Sequence, residues 1–117
     1  MADLTIHRGT HQIGGGCTEI SAGGHRILID FGANLPGTDG DAQTKDREMV
    51  QKVFGSRQDG AVLFTHYHGD HYGLFKKVPP GVPMYIGPLA KNILRILVPY
   101  IDRDAPEKGS AIVEQMR

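Results

Sequence analysis

His66, His68, Asp70 and His71 stand within six residues, directly after the apolar stretch Ala61-Val62-Leu63-Phe64. Imidazole and carboxylate are donors that zinc accepts at neutral pH. His66 and His68 are two apart, so at the end of an extended segment both rings fall on one side. They can then meet one ion at roughly 2.0–2.1 Å. Asp70 and His71 follow where the chain turns into a helix, pointing away from the first pair but staying close to it. Two pairs of donors so placed suit two ions about 3.5–4 Å apart. Gly69 allows the turn between the pairs, and Gly73 lets the next helix pack closely.

The elements that must hold this cluster can be read along the chain. Leu4–Arg8 alternates and predicts a first strand, with Leu4 and Ile6 on one face and a half-exposed His7 on the other. Gly14-Gly15-Gly16 predicts a tight connection beside a site floor. Cys17–Ser21 predicts a second strand, and Gly23-Gly24 a two-residue hairpin turn. Arg26–Phe31 predicts a third strand buried on both faces, because its apolar run is nearly continuous. Asp30 at its end is a carboxylate that needs partners, either as a hydrogen-bonding brace or as part of a site. Residues 33–44 predict a turn-rich surface loop in which Asp39 and Asp41 are solvated. Asp46–Phe54 predicts a helix with Met49, Val50, Val53 and Phe54 on its core face, stopped by Gly55.

Ala61–Thr65 predicts strand four, leading straight into the donor cluster. A short helix is expected from Asp70 toward Lys77, ended by Pro79-Pro80. Val82–Ile86 predicts strand five, and Pro88 opens another helix. On that helix Leu89, Ile93, Ile96 and Leu97 form the expected core face, with Lys91, Asn92 and Arg95 toward water. Residues 101–110 predict a polar linker, and residues 111–117 the start of an interrupted element. The order, βββαβαβα, predicts a mixed α/β layer architecture.

Composition narrows the function classes. Formal net charge is zero, so there is no general electrostatic pull toward nucleic acid or anionic membrane. Cys17 is the single cysteine, which excludes an internal disulfide and a Cys-x-x-Cys zinc motif; it predicts a small buried hydrophobe. No apolar run approaches the roughly 20 residues that span a bilayer. The N-terminus has no signal-peptide pattern, and a reducing cytoplasm is the expected compartment.

Thr65-His66-Tyr67-His68-Gly69-Asp70-His71 resembles the His-x-His-x-Asp-His motif of the metallo-β-lactamase fold superfamily. Ile27–Gly32 resembles its strand-borne aspartate, which points Asp30 toward a bracing role behind the ligands. Ile6–Cys17 and Val82–Ala90 resemble the first hairpin and the strand and helix after the motif in the RNA-processing branch, which includes the β-CASP nucleases and ribonuclease J. The resemblance implies an αββα fold and a hydrolase using two zinc ions that share a bridging hydroxide. It implies that His66 and His68 hold the first ion and that Asp70 and His71 hold the second, with Asp70 also orienting the nucleophile. Thr65, Gly69 and Asp30 would support that site, and the implied substrate is an RNA phosphodiester.

The family completes its site with a histidine, a bridging aspartate and a last histidine from the second half of its fold. No histidine follows His71 here, and Asp102 and Asp104 are the only later aspartates. The resemblance therefore covers residues 1–117 as an N-terminal portion. RNA would be held through the complete protein. The missing second half of the fold, or a complementary chain, is an expected partner. A non-catalytic metal-binding half-domain and a thiolester, lactam or lactone hydrolase are the alternative expectations.

Overall fold

Gly23 and Gly24 both adopt positive φ, 57° and 80°, and close the hairpin between β2 (Cys17–Ala22) and β3 (His25–Ile29). That conformation matches the twist of the flanking strands and favours glycine. The computed structural model describes residues 1–10, 12, 14–35, 42–102 and 105–117. His11, Asp39, Asp41 and Asp104 lie outside the described residues. The remaining elements are β1 (Asp3–Arg8), α1 (Ala42–Val53), β4 (Ala61–Phe64), α2 (Gly69–Tyr72), β5 (Met84–Ile86), α3 (Pro88–Ile101) and α4 (Pro106–Gln115). A 3-10 turn at Phe75–Lys77 follows α2.

The five strands form one mixed sheet in chain order. β1, β2 and β3 are antiparallel neighbours, whereas β3, β4 and β5 run parallel. Parallel neighbours need crossovers, which α1 and the α2 region supply. Arg117 donates to the Met84 carbonyl at 2.9 Å and accepts from Ile86 N at 3.0 Å. The last residue therefore pairs along the outer edge of β5.

One sheet face is covered. Cys17, Leu28, Val62, Phe64 and Ile86 join Met49 and Val53 of α1, Leu94 and Val98 of α3 and Val113 of α4 in a single core. Among the described residues, the other face is bare. Leu4, Ile6, Ile20, Ile27, Leu63 and Tyr85 are all exposed on it. The register places Leu4, Ile20 and Ile27 in one row and Leu63 beside Tyr85 in the next. Contiguous apolar surface of this kind marks an interaction face.

Two expectations change here. β3 is not buried on both faces: Ile27 is exposed, while Arg26 faces the core. Its guanidinium donates to Val53 O at 2.7 Å and pairs with Glu19 at 3.3 Å, so a buried cation is matched at the end of α1. β1 keeps Leu4 and Ile6 on one face and His7 on the other, as its alternation predicts, and the apolar face is the bare one. Leu4 and Ile6 are the exposed residues, and His7 packs inward with Nε2 3.0 Å from Glu19 Oε1. On α3 the core positions are Leu94 and Val98, while Leu89, Ile96 and Leu97 are exposed. Lys91 reaches the Glu114 and Met116 carbonyls, and Arg95 forms a two-bond pair with the Glu114 carboxylate. The basic face of α3 thus reaches α4 through Lys91 and Arg95, while Asn92 and Arg95 stay exposed to water as expected.

α4 also replaces much of the expected linker. Pro106 takes an early helical position, where its missing N–H costs nothing. A Cβ on Gly109 would stand 2.9 Å from Val98 Cγ1, so glycine lets α4 settle against α3.

Candidate metal centre

The donor cluster lies at the carboxyl ends of the adjacent parallel strands β3 and β4. Side chains and loops there open onto a crevice, the usual place for a site in such sheets. Asp30 follows β3 and Thr65 follows β4. Asp30 accepts from Thr65 N through Oδ1 and from Thr65 Oγ1 through Oδ2, both at 2.7 Å. Its Oδ2 is also 2.9 Å from His71 Nδ1. Asp30 is the one non-glycine residue with positive φ among the described residues, at 64°. Aspartate tolerates this region better than most side chains, and here it turns the carboxylate across the strand ends.

Backbone contacts fix the turn that carries Asp70 and His71. Phe31 N donates to His71 O at 3.0 Å, Ala33 N to Gly69 O at 3.1 Å, and Gly15 N to Asp70 O at 3.0 Å. Two glycines make this approach possible. A Cβ on Gly32 would overlap the Asp70 carbonyl, and one on Gly14 would stand 2.8 Å from Asp70 Cβ. Gly73 is similarly crowded, by Gly69 O and Ala33 Cβ. Gly69 is different: a Cβ there would meet nothing within 4 Å. Its part in the site is its carbonyl, which accepts from Ala33 N and Gly73 N, and not the freedom to turn expected from sequence.

The four donors stand as two facing pairs. His66 Nε2 and His68 Nδ1 are 2.8 Å apart. Asp70 Oδ2 and His71 Nε2 are 3.6 Å apart. The His66 and His71 ring centroids are 5.3 Å apart, so the pairs are neighbours. A tetrahedral zinc ion holds two nitrogens about 3.3 Å apart, given bond lengths of roughly 2.0–2.1 Å. The second pair is near that span, and the first would open by about half an ångström. Among the described residues, no group of three or more His, Cys, Asp or Glu donors is assembled around one point. The described donors therefore meet in twos, at two neighbouring points. The hydrogen bond from His71 Nδ1 to Asp30 turns Nε2 toward Asp70, which is how a carboxylate commonly orients a ligating histidine.

An open groove of about 550 Å³ adjoins His68 and Asp70. Leu35, Tyr67, Tyr72, Leu97 and Ile101 contribute to its walls, and neither Lys nor Arg lines it among the described residues. Burial, and secondly the Asp102 carboxylate, push the Tyr72 phenol above its ordinary range, so it presents a neutral surface. Asp102 itself pairs with Lys76 Nζ at 2.7 Å, away from the donors. Cys17 is buried, and desolvation pushes its thiol up to about 12, leaving it chemically inert.

Sequence reasoning missed Arg8 and Asp46. Arg8 bonds to Gly15 O at 2.6 Å, to Gly32 O at 2.7 Å and to Asp46 Oδ1 at 2.8 Å. A charge at each end of two separate elements carries no local signal.

No family model matches the chain. Its fold is similar to the crystal structure of a protein of unknown function from Enterococcus faecalis V583, with a TM-score of 0.63 and 25% identity. That match covers 82% of this chain and 27% of the other. In sequence, the chain is 36% identical over 109 residues to the transcription termination factor FttA of Methanosarcina mazei. The matched region is 89% of this chain but 16% of that factor's length. Among the described residues, no helix is long and apolar enough to cross a membrane.

Proposed function

We propose that residues 1–117 form the N-terminal part of a metallo-β-lactamase-fold metallohydrolase of the RNA-processing branch, acting on RNA phosphodiesters. The observation that carries this reading is the pairing of donors, His66 Nε2 with His68 Nδ1 and Asp70 Oδ2 with His71 Nε2, backed by Asp30 on the far nitrogen of His71. The similarity to a transcription termination factor supports an RNA-related substrate.

Zinc is the ion these donors suit. His66 and His68 would hold one ion, and Asp70 and His71 a second. Bound there, zinc would supply Lewis acidity toward a phosphate and a lowered pKa for water. Asp70 would also orient the attacking water, with its own position set by the Gly14, Gly15 and Gly32 contacts. The bare sheet face would be covered by the second half of the fold or by a complementary chain, completing the layered αββα arrangement and bringing the remaining ligands.

The groove beside His68, lined largely by apolar side chains and by no Lys or Arg among the described residues, favours one second reading: a thiolester, lactam or lactone with an apolar arm on the same donors. A purely metal-binding, non-catalytic role for the 117-residue chain is the remaining alternative.

The test is a metal-dependent ribonuclease assay and a zinc titration, each with a His68→Ala control. The 117-residue chain should bind zinc weakly and turn over nothing measurable. A longer polypeptide that contains it should cleave RNA in a zinc-dependent, His68-dependent way. Failure of the longer polypeptide on RNA, with turnover of a thiolester, would move the assignment to the second reading.

A further inference from the structure

We propose that Arg8 is a positioning residue for the Asp70–His71 donor pair. This role rests on the metal-site reading above and adds to it a residue remote from the cluster in sequence.

The register of β1 against β2 slips between Ile6 and Arg8: Ile6 opposes Thr18, while Arg8 opposes Cys17. A bulge of this kind re-aims the side chains that follow it. Without it, Arg8 would share the bare face with Leu4 and Ile6. With it, Arg8 shares the side of buried Cys17, and its side chain is only 11% exposed.

There the guanidinium joins two loops. Nε donates to Gly15 O and Nη2 to Gly32 O. Those loops are the ones pressed against Asp70. Gly15 N donates to the Asp70 carbonyl, and Gly32 lies so close to it that no Cβ would fit. Gly32 N also donates to Gly16 O at 3.1 Å, so the loops form one clamp with Arg8 as its pin. Asp46 of α1 holds the pin, accepting from Arg8 Nη2 and from Asn34 N at 3.1 Å. Among the described residues, no comparable path of hydrogen bonds runs from Arg8 to His66 or His68. Arg8 should therefore act on one donor pair and not on the other.

That selectivity is the test. Histidine ring nitrogens are followed by NMR during zinc titration of the chain and of Arg8→Gln, Arg8→Lys and Asp46→Asn, with melting temperatures measured alongside. In Arg8→Gln the zinc midpoint at His71 should rise roughly tenfold or more, the range for loss of an outer partner of a ligand. The midpoints at His66 and His68 should stay within about twofold. Arg8→Lys keeps the charge but not the two-armed geometry, and should rescue little. Asp46→Asn should move His71 in the same direction by a smaller factor, and decides the matter if the Arg8 variants do not fold. An unchanged His71 midpoint, or equal shifts at both pairs, would overturn the role of Arg8 while leaving the metal reading intact. No zinc response at any of the three rings in the parent chain would overturn the metal reading, and this role with it.

Discussion

Asp30 Oδ2 lies 2.9 Å from His71 Nδ1, although 41 residues separate them. The same carboxylate accepts the backbone and hydroxyl donors of Thr65. One side chain thus ties the end of β3 to both ends of the donor loop. Replacing Asp30 with Ala removes all three part-buried bonds that tie Thr65 and His71 to the end of β3. It should cost about 3 kcal/mol, read from urea unfolding. Asp30→Asn tolerates the positive φ and keeps an acceptor, so it should cost less. It should nevertheless disturb the His71 ring resonance, because an amide has one acceptor oxygen and an NH2 donor where the carboxylate has two acceptors.

Gly32 and Gly69 separate a steric requirement from a backbone one. Gly32→Ala drives a methyl into the Asp70 carbonyl. It should destabilise the chain by about 3 kcal/mol or more, or prevent folding. Gly69→Ala meets open space and should be neutral or stabilising by up to ~1 kcal/mol, since Ala favours helix over Gly. Thermal melting of the two variants checks the contrast.

On α3, Leu94→Ala removes a fully buried side chain and should cost about 2–5 kcal/mol. Ile96→Ala, on the exposed stripe, should cost under about 0.5 kcal/mol. The opposite ranking in urea unfolding would mean that the helix is rotated about its axis.

The bare sheet face should bind an apolar fluorescent dye in the 117-residue chain. Ile20→Lys and Ile27→Lys, singly, should lower the dye signal and change stability by no more than about 0.5 kcal/mol. Full dye binding in both variants would place the apolar surface elsewhere.

Glu19 predicts an acid limb in stability. Burial opposes its ionisation, but hydrogen bonds from His7 and Arg26 outweigh this and hold the carboxyl below its ordinary value of 4.5. A folded pKa below the unfolded one means that the unfolded chain binds the proton more readily. The contribution is therefore complete above about pH 4.5 and is lost as pH falls through the folded value. Unfolding measured against pH should show a shallower acid limb in Glu19→Gln than in the parent chain.

Much of this was legible in the order of residues. The Gly23-Gly24 turn, the alternation of strands and helices, and the donor set His66, His68, Asp70 and His71 are local patterns, and local patterns survive without knowledge of the fold. Asp30 was recognisable as a carboxylate in need of partners, because a charge at the end of an apolar strand must be matched. Which face became buried was legible for α1, where Met49, Val53 and Phe54 are buried as expected, but not for β3 and α3. Ile27, Leu89 and Ile96 are apolar and patterned like core residues, yet an apolar side chain is buried only where another element covers it. In α3, α4 engages Lys91 and Arg95 and so turns Leu94 inward. In β1, a one-residue bulge sends Arg8 to the core side, where it pins two glycine loops against Asp70. The sequence by itself determined which atoms could hold a metal and roughly how they are spaced. The tertiary structure alone decided their orientation, because the restraints come from Asp30, Gly15, Gly32 and Arg8, distant residues whose contacts exist only when the sheet is assembled.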